Sequence, residues 1–369
     1  MVVTGVPGVC YASEEQSPEQ KFRELYLRIL ETNDTSIYDI SDLNLPYMTC
    51  YEIMNDVRRN EGVLPFQCYK EYNFIEFEPE DIEYRGSKKE PYLMKFHLEL
   101  KDEGFQERYK KVQEIIAKER EQLDEKMTDL DKLLWFHEYV VEHLYYKDTG
   151  NTADHLGGST LVQGHGVCEG YERALMLFLK AENIPCEQLA GGAHAWLAVK
   201  IDGKWYHVDP TWDDTVASKY GTHYFMLRND DEFKKTMVKQ HASWHLSEYQ
   251  QQVPPEVTIN STDYTDWYVH KVWNRMYYYD GYWYYVLDNA VRKNNINGTK
   301  ESILYEGKTL KITGLEDGVL AVSSAEGEKK FDLKEAITPT PTVKSEVTTS
   351  PVQTVKPEVT TTLSPTVKP

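Results

Sequence analysis

A chain of 369 residues can bury a full core without disulfide or metal staples, and its formal net charge of −19, from 60 acidic against 41 basic residues, disfavours nucleic acid and anionic membranes as partners. No apolar run is long enough to span a membrane. The five cysteines, Cys10, Cys50, Cys68, Cys168 and Cys186, form no CxxC pair and no metal-ligand spacing, so the sequence calls for neither a zinc site nor any other cofactor.

Cys50 and Cys68 are the pair a secreted chain would join, although no wider disulfide framework is indicated. Tyrosines outnumber phenylalanines 27 to 11, a balance suited to surfaces that are part wet and part packed. Plain β-structure is the simpler reading of that bias, and polymer or peptide binding the other.

Residues 1–16, "MVVTGVPGVCYASEEQ", are apolar through Ala12 and then abruptly acidic. They read as the remnant of a secretory signal that lacks a basic start, or as a disordered N-terminus. Residues 17–127 form an α/β region. A helix is expected through "EQKFRELYLRIL", with Phe22, Leu25, Tyr26, Ile29 and Leu30 on one stripe and an end at Asn33. "EYNFIEFEP" and "PYLMKFHLEL" alternate as two strands around the charged turn "RGSKK". A charged helix, "FQERYKKVQEIIAKEREQLDEKM", follows.

The catalytic-core candidate, residues 128–250, opens with Thr128 and Asp131 as a capping box for "DLDKLLWFHEYVVEHLYY". Its "HEYVVEH" is not a metal motif: His137 and His143 are six apart and point to different faces, so they read as surface and boundary residues. After a tight approach at Gly164 to Gly166, "CEGYERALMLFLKAEN" spaces Tyr171, Ala174, Leu175, Phe178 and Leu179 as a helix that stops at Asn183-Ile184-Pro185. Cys168 therefore sits at a helix N-terminus, where the macrodipole and unpaired backbone N–H groups favour a thiolate and offer donors to an oxyanion.

"AHAWLAVKI" and "KWYHV" are strands joined by the two-residue turn Asp202-Gly203. Opposing Ile201 to Lys204 sets Val199 against Tyr206 and Leu197 against Val208. Asp209 then falls diagonal to His194, about 7 Å away along the backbone and within reach of a carboxylate–imidazole bond. Cys168, His194 and Asp209 thus fill the roles of nucleophile, general base and acid, and orienting carboxylate.

"GVCEGYERAL", "HAWLAVKIDGKWYHVDPTW" and "HYFML", over roughly residues 128–245, resemble the bacterial transglutaminase-like superfamily. The resemblance implies a papain-like core with a cysteine helix packed on an antiparallel sheet; with the helical and hairpin N-terminal region and the small C-terminal antiparallel β-unit read from the residues' own patterns, the fold class is α+β. It implies acyl chemistry on peptide or glutamine-type amides through a thioester, with hydrolysis or transfer to an amine, and the same three residues in the same roles. The Gly-Gln-Cys-Trp motif of calcium-dependent animal enzymes is absent, because Glu169 follows the cysteine. Protein crosslinking and calcium dependence are therefore not carried over.

Gln163 is the candidate side-chain oxyanion donor, although a papain-like glutamine usually lies six rather than five residues before the cysteine. Tyr171, Trp196 and Trp212 are candidates for a substrate cleft, with core packing as the plainer role. Asp213 and Asp214 read as a solvated turn, His207 as a satisfied boundary histidine, and His223 and His241 as structural.

Residues 265–335 are rich in tyrosine and punctuated by Asp280-Gly281 and Asn297-Gly298, which suggests a β-unit of about four strands. In residues 338–369 "TVKSEVTT" at Thr342, "TVKPEVTT" at Thr354 and "TVKP" at Thr366 repeat every 12 residues without an aromatic, the composition of an extended spacer. The sequence-level reading is a thiol enzyme held outside the cell or at its surface, with a peptide or protein substrate of cell-wall or host origin and no assignable oligomeric state. The rivals are a catalytically silent adhesion module and a papain-like cysteine protease.

Overall fold

The computed structural model describes residues 16–32, 36–60, 83–87, 89–96, 105–191, 194–214, 223–240 and 257–334. The signal-like opening, Cys68, the expected strand at 71–79, His241 and the Thr/Pro spacer lie outside them. The fold is α+β with antiparallel sheets.

The first helix, α1 (Pro18–Thr32), starts where Ser17 and Gln20 exchange side chain–backbone bonds, which satisfies two otherwise unpaired helix donors. Its stripe buries Phe22, Tyr26 and Ile29 against Cys50, Met54 and Val57 of α2 (Tyr47–Asn60). Leu93 and Phe96 complete this core from a three-stranded sheet of order β1 (Tyr38–Asp39), β3 (Glu90–Phe96), β2 (Glu83–Ser87). The hairpin differs from expectation. Arg85, Gly86 and Ser87 are paired strand residues, opposite Tyr92, Pro91 and Glu90, and the reversal comes after Ser87. Gly86, at φ 102°, lets the strand run two residues further and leaves Lys89 at the tip, in water.

A second, larger core begins with α3 (Phe105–Arg120) and α4 (Asp129–His143). The capping box at Thr128 and Asp131 is formed as expected, at 3.2 and 3.0 Å. The short β4 (Tyr145–Tyr146) pairs in parallel with β5 (His165–Gly166), and α5 (Gly157–Gln163) lies between them in sequence. Helix α6 (Cys168–Ala181) buries the predicted Tyr171, Ala174, Leu175, Phe178 and Leu179, with Phe178 stacked on Phe136 of α4 at 4.9 Å. It stops because Asn183 turns left-handed at φ 57° and Ile184 N–H reaches back to the Leu179 carbonyl at 2.9 Å.

The sheet that meets α6 has the order β6 (Cys186–Gly191), β7 (His194–Ile201), β8 (Lys204–Val208). Its two faces are buried differently. Leu197, Val199, Ile201, Tyr206 and Val208 face the main core, whereas Trp196 and Ala198 pack with Leu189, Phe225 and Phe233. The one-turn α7 (Pro210–Asp213) follows β8, and α8 (Asp230–Gln240) covers the second face through Phe233.

Seven C-terminal strands, rather than about four, occupy the described residues, in two sheets. The first holds β9 (Tyr277–Tyr279), β10 (Tyr282–Leu287), β11 (Ala290–Asn294) and β12 (Ser302–Glu306); the second holds β13 (Lys311–Glu316), β14 (Val319–Ser324) and β15 (Gly327–Asp332). The extra reversals come from Asp288-Asn289 (φ 52° and 57°) and Asp317-Gly318 (φ 51° and 78°), two more pairs that tolerate the left-handed conformation a tight hairpin needs. Met276, Tyr278, Trp283, Tyr285 and Ile296 enter the main core, and the Trp283 indole N–H donates to Asp131 at 2.8 Å. The first β-sheet therefore extends the core of the cysteine helix. Among the described residues no helix is long and apolar enough to cross a membrane.

Candidate active site

The approach to Cys168 is built around Asp154, which is 1% exposed. Its carboxylate accepts from the Thr149 backbone N–H and hydroxyl, both at 2.6 Å, and from the Gln163 amide at 3.2 Å, with His165 at 3.5 Å. These bonds hold its carboxyl below the usual range, although burial alone would raise it. The Asp154 carbonyl receives the Val167 N–H at 2.9 Å, which fixes the residue before the thiol. A Cβ on Gly170 would collide with Thr160 Oγ1 and this same carbonyl, so only glycine lets the loop press against the first turn of α6.

Cys168 is the first residue of α6, partly exposed, behind an N-cap residue, Val167, that makes no side-chain capping bond. The first-turn N–H groups therefore remain available beside the thiol. One turn further, Glu172 is fully buried and accepts from the Gln188 amide at 2.7 Å. Burial pushes its carboxyl well above the usual range.

His194 opens β7. The turn at Asp202-Gly203, with φ 50° and 79°, sets the expected register, Ile201 to Lys204, Val199 to Tyr206 and Leu197 to Val208. His194 Nε2 lies 2.6 Å from Asp209 Oδ2, while Asp209 Oδ1 accepts the Thr211 and Trp212 backbone N–H groups at 3.1 Å and so caps α7. Asp209 is thus a helix cap and an imidazole partner at once, and it is fully buried. Burial alone would lower the pKa of His194; the charge and hydrogen bond of Asp209, with a further contribution from the neighbouring Cys168, outweigh it and raise the value to about 10. With Nε2 on Asp209, Nδ1 is the nitrogen left for the thiol.

The remaining candidates take other places. Gln163 directs its amide group to Asp154 and to the His165 carbonyl at 2.8 Å, which commits both amide hydrogens inside the loop rather than to an oxyanion. Tyr171 and Trp196 are fully buried, so neither offers surface to a cleft; Tyr171 donates to Asp214 at 2.5 Å and Trp196 to His207 Nδ1 at 3.0 Å. Trp212 is half-buried and stacks on the His194 ring at 4.3 Å and 3°.

Several residues that read as solvated or boundary positions are internal. His137 is fully buried and bonds Asp213 at 2.9 Å, and Asp213 also accepts the Phe225 N–H at 2.9 Å. Asp213 and Asp214 are thus not a solvated turn: α7 tucks Asp213 inward, and Asp214 is half-buried against Tyr171. His207 is fully buried between Trp196 and Asp230; His223, read as structural, is buried and pairs with Glu138 at 2.7 Å. Their signal in sequence is absent because each partner is distant along the chain. Cys50 is a buried free thiol.

Residues 116–210, which contain Cys168, His194 and Asp209, match the profile of the transglutaminase-like superfamily. The cysteine core is transglutaminase-like. Among solved structures, the chain is similar to a proposed cysteine protease from Cytophaga hutchinsonii, 15% identical over 35% of this chain and 61% of that one, with a TM-score of 0.23. It is also similar to a TGase, 16% identical over 37% of this chain and 45% of that one, with the same TM-score of 0.23. The chain thus spans less than two thirds of either structure. No curated protein matches it.

Proposed function

We propose that this protein is a transglutaminase-like thiol enzyme that acts on peptide or glutamine-type amides. The observation that carries the reading is His194, bonded to Asp209 at 2.6 Å and neighbouring Cys168. In the first step Sγ of Cys168 bonds to the amide carbon, first-turn N–H groups of α6 receive the oxyanion, and the C–N bond breaks as His194 gives its proton to the departing amine. Water or a second amine then attacks the thioester, returns a proton to His194 and releases Cys168 as thiolate. Asp209 keeps the imidazole oriented and favours its charged form. Hydrolysis and transfer share every residue and differ in which acceptor reaches the thioester.

The substrate class is a peptide or protein of cell-wall or host origin, and the setting is the cell exterior or surface, supported by the signal-like residues 1–16 and the Thr/Pro-rich 338–369. We place the catalytic core at 128–250, after an N-terminal region at 17–127 and before the tyrosine-rich unit at 265–335.

The test is alkylation by iodoacetamide at mildly basic pH. Cys186 is an internal control, because burial pushes its pKa up to about 12. Cys168 is expected to react at least tenfold faster than Cys186, and His194→Ala to slow it about tenfold or more, since thiolate fraction sets the rate. Equal reactivity of the two thiols, unaffected by His194→Ala, would refute the reading.

A further inference from the structure

Tyr146 stands out among the described residues as a large aromatic that is both exposed, at 53%, and beside the nucleophile. Its position is fixed by backbone. It pairs with Gly166, two residues before Cys168, and the flanking bonds from Tyr145 N–H to the Gly164 carbonyl (3.2 Å) and from Lys147 N–H to the Gly166 carbonyl (3.0 Å) hold both sides of that pair. A charge on Cys168 is felt at the Tyr146 phenol, whose pKa is raised first by partial burial, then by Cys168 and Asp148. The ring is supported from behind by Tyr171, with centroids 6.5 Å apart, and Tyr171 is tied to Asp214. Tyr146 on the β4 side and His194, stacked on Trp212, on the hairpin side are thus both neighbours of Cys168.

We infer that Tyr146 forms a subsite for an aromatic or large aliphatic side chain next to the amide attacked by Cys168. The inference rests on the acyl-transfer reading of the Cys168 site. An exposed ring on a strand fixed by two backbone bonds and packed against Tyr171 gains apolar contact on binding with little loss of conformational freedom, which is the property of an anchoring residue. Tyr145, the neighbouring residue, points to the opposite side of its strand and rests on His165 at 5.3 Å, so it serves as the control position.

The experiment compares acetyl-Phe-Gln-Gly amide with acetyl-Asp-Gln-Gly amide. With the full chain, the Phe peptide is expected to exceed the Asp peptide in kcat/KM by about tenfold or more, the factor that covering part of one aromatic ring supplies. Tyr146→Ala is expected to remove most of that preference through KM. Tyr146→Phe should keep it, and Tyr145→Ala should leave it as in the unmodified chain. Binding of the same peptides to Cys168→Ala, followed by calorimetry, reads the subsite without turnover. A Phe preference that survives Tyr146→Ala in turnover, or equal affinities of the two peptides for Cys168→Ala, would overturn the inference. Discrimination by Cys168→Ala together with a slowly alkylated Cys168 in the unmodified chain would support the subsite and refute the catalytic reading.

Discussion

Two histidine–aspartate pairs frame the single turn of α7, one at each end. His194 meets Asp209 at its N-terminus, and His137 meets Asp213 at its C-terminal end. Both aspartates are fully buried; Asp209 also accepts two backbone N–H groups and Asp213 that of Phe225. They differ in what the second ring nitrogen meets. Nδ1 of His194 is left for the thiol of Cys168, whereas the buried Nδ1 of His137 has no hydrogen-bond partner among the described residues. A carboxylate orients an imidazole equally well in a core and in an active site; a nucleophile at the opposite edge gives the second its chemistry. Partial exposure of Cys168 supplies the other requirement, access.

The comparison can be broken most severely by removing the imidazoles. His194→Ala is expected to lower kcat for acyl transfer by roughly a thousandfold or more with folding retained. His137→Ala should instead act on stability, costing about 1–3 kcal/mol in urea unfolding because the buried Asp213 carboxylate loses the hydrogen bond of the imidazole. An activity loss per folded molecule in His137→Ala as large as in His194→Ala would erase the distinction drawn here.

Next in size is Gly170→Ala, where the new Cβ forces the Asp154 loop away from α6. The expected cost is about 1–3 kcal/mol with Cys168 alkylation slowed, measured by parallel unfolding and alkylation of one preparation.

pH sharpens the same contrast. The folded pKa of His194, about 10, lies above its unfolded value near 6.5. Its contribution to stability is therefore complete below the unfolded value and falls away as pH rises through about 10. Urea midpoints taken from pH 6 to 10 should decline for the native chain and flatten in Asp209→Asn. A decline of equal slope in both would remove Asp209 as the cause.

The smallest effect is expected at Trp212→Ala, which removes the ring stacked on His194. A loss of about 0.5–1.5 kcal/mol, beyond its buried area, is the scale for such a contact, and a double-mutant cycle with His194 isolates it. Coupling indistinguishable from zero would leave Trp212 as packing alone.

Much of the architecture was legible because its determinants are local. The α1 and α6 stripes, the Thr128–Asp131 box and the Asp202-Gly203 register each depend on residues within a few positions of one another. The C-terminal strand count fell short because Asp288-Asn289 and Asp317-Gly318 were not recognised as hairpin turns beside Asp280-Gly281. His137 and Asp213 differ from expectation for another reason: they are each other's partners 76 residues apart, so their polarity suggests water where the fold supplies a hydrogen bond.

Gln163 shows the limit most directly. Its spacing before Cys168 suggested an oxyanion donor, and Asp154, nine residues earlier, claimed the amide instead.

The sequence by itself determined a thiol at a helix N-terminus and a hairpin whose two-residue turn brings a histidine and an aspartate onto one side. These are properties of helical periodicity, strand alternation and turn conformation, which depend only on near neighbours. Tertiary structure decided that the helix and hairpin meet, that Asp209 serves the imidazole and two backbone N–H groups at once, that Tyr171 and Trp196 are core, and that the tyrosine-rich sheet completes that core. Burial and pairing depend on which distant segment arrives at each face, and that is set by packing the whole chain at once.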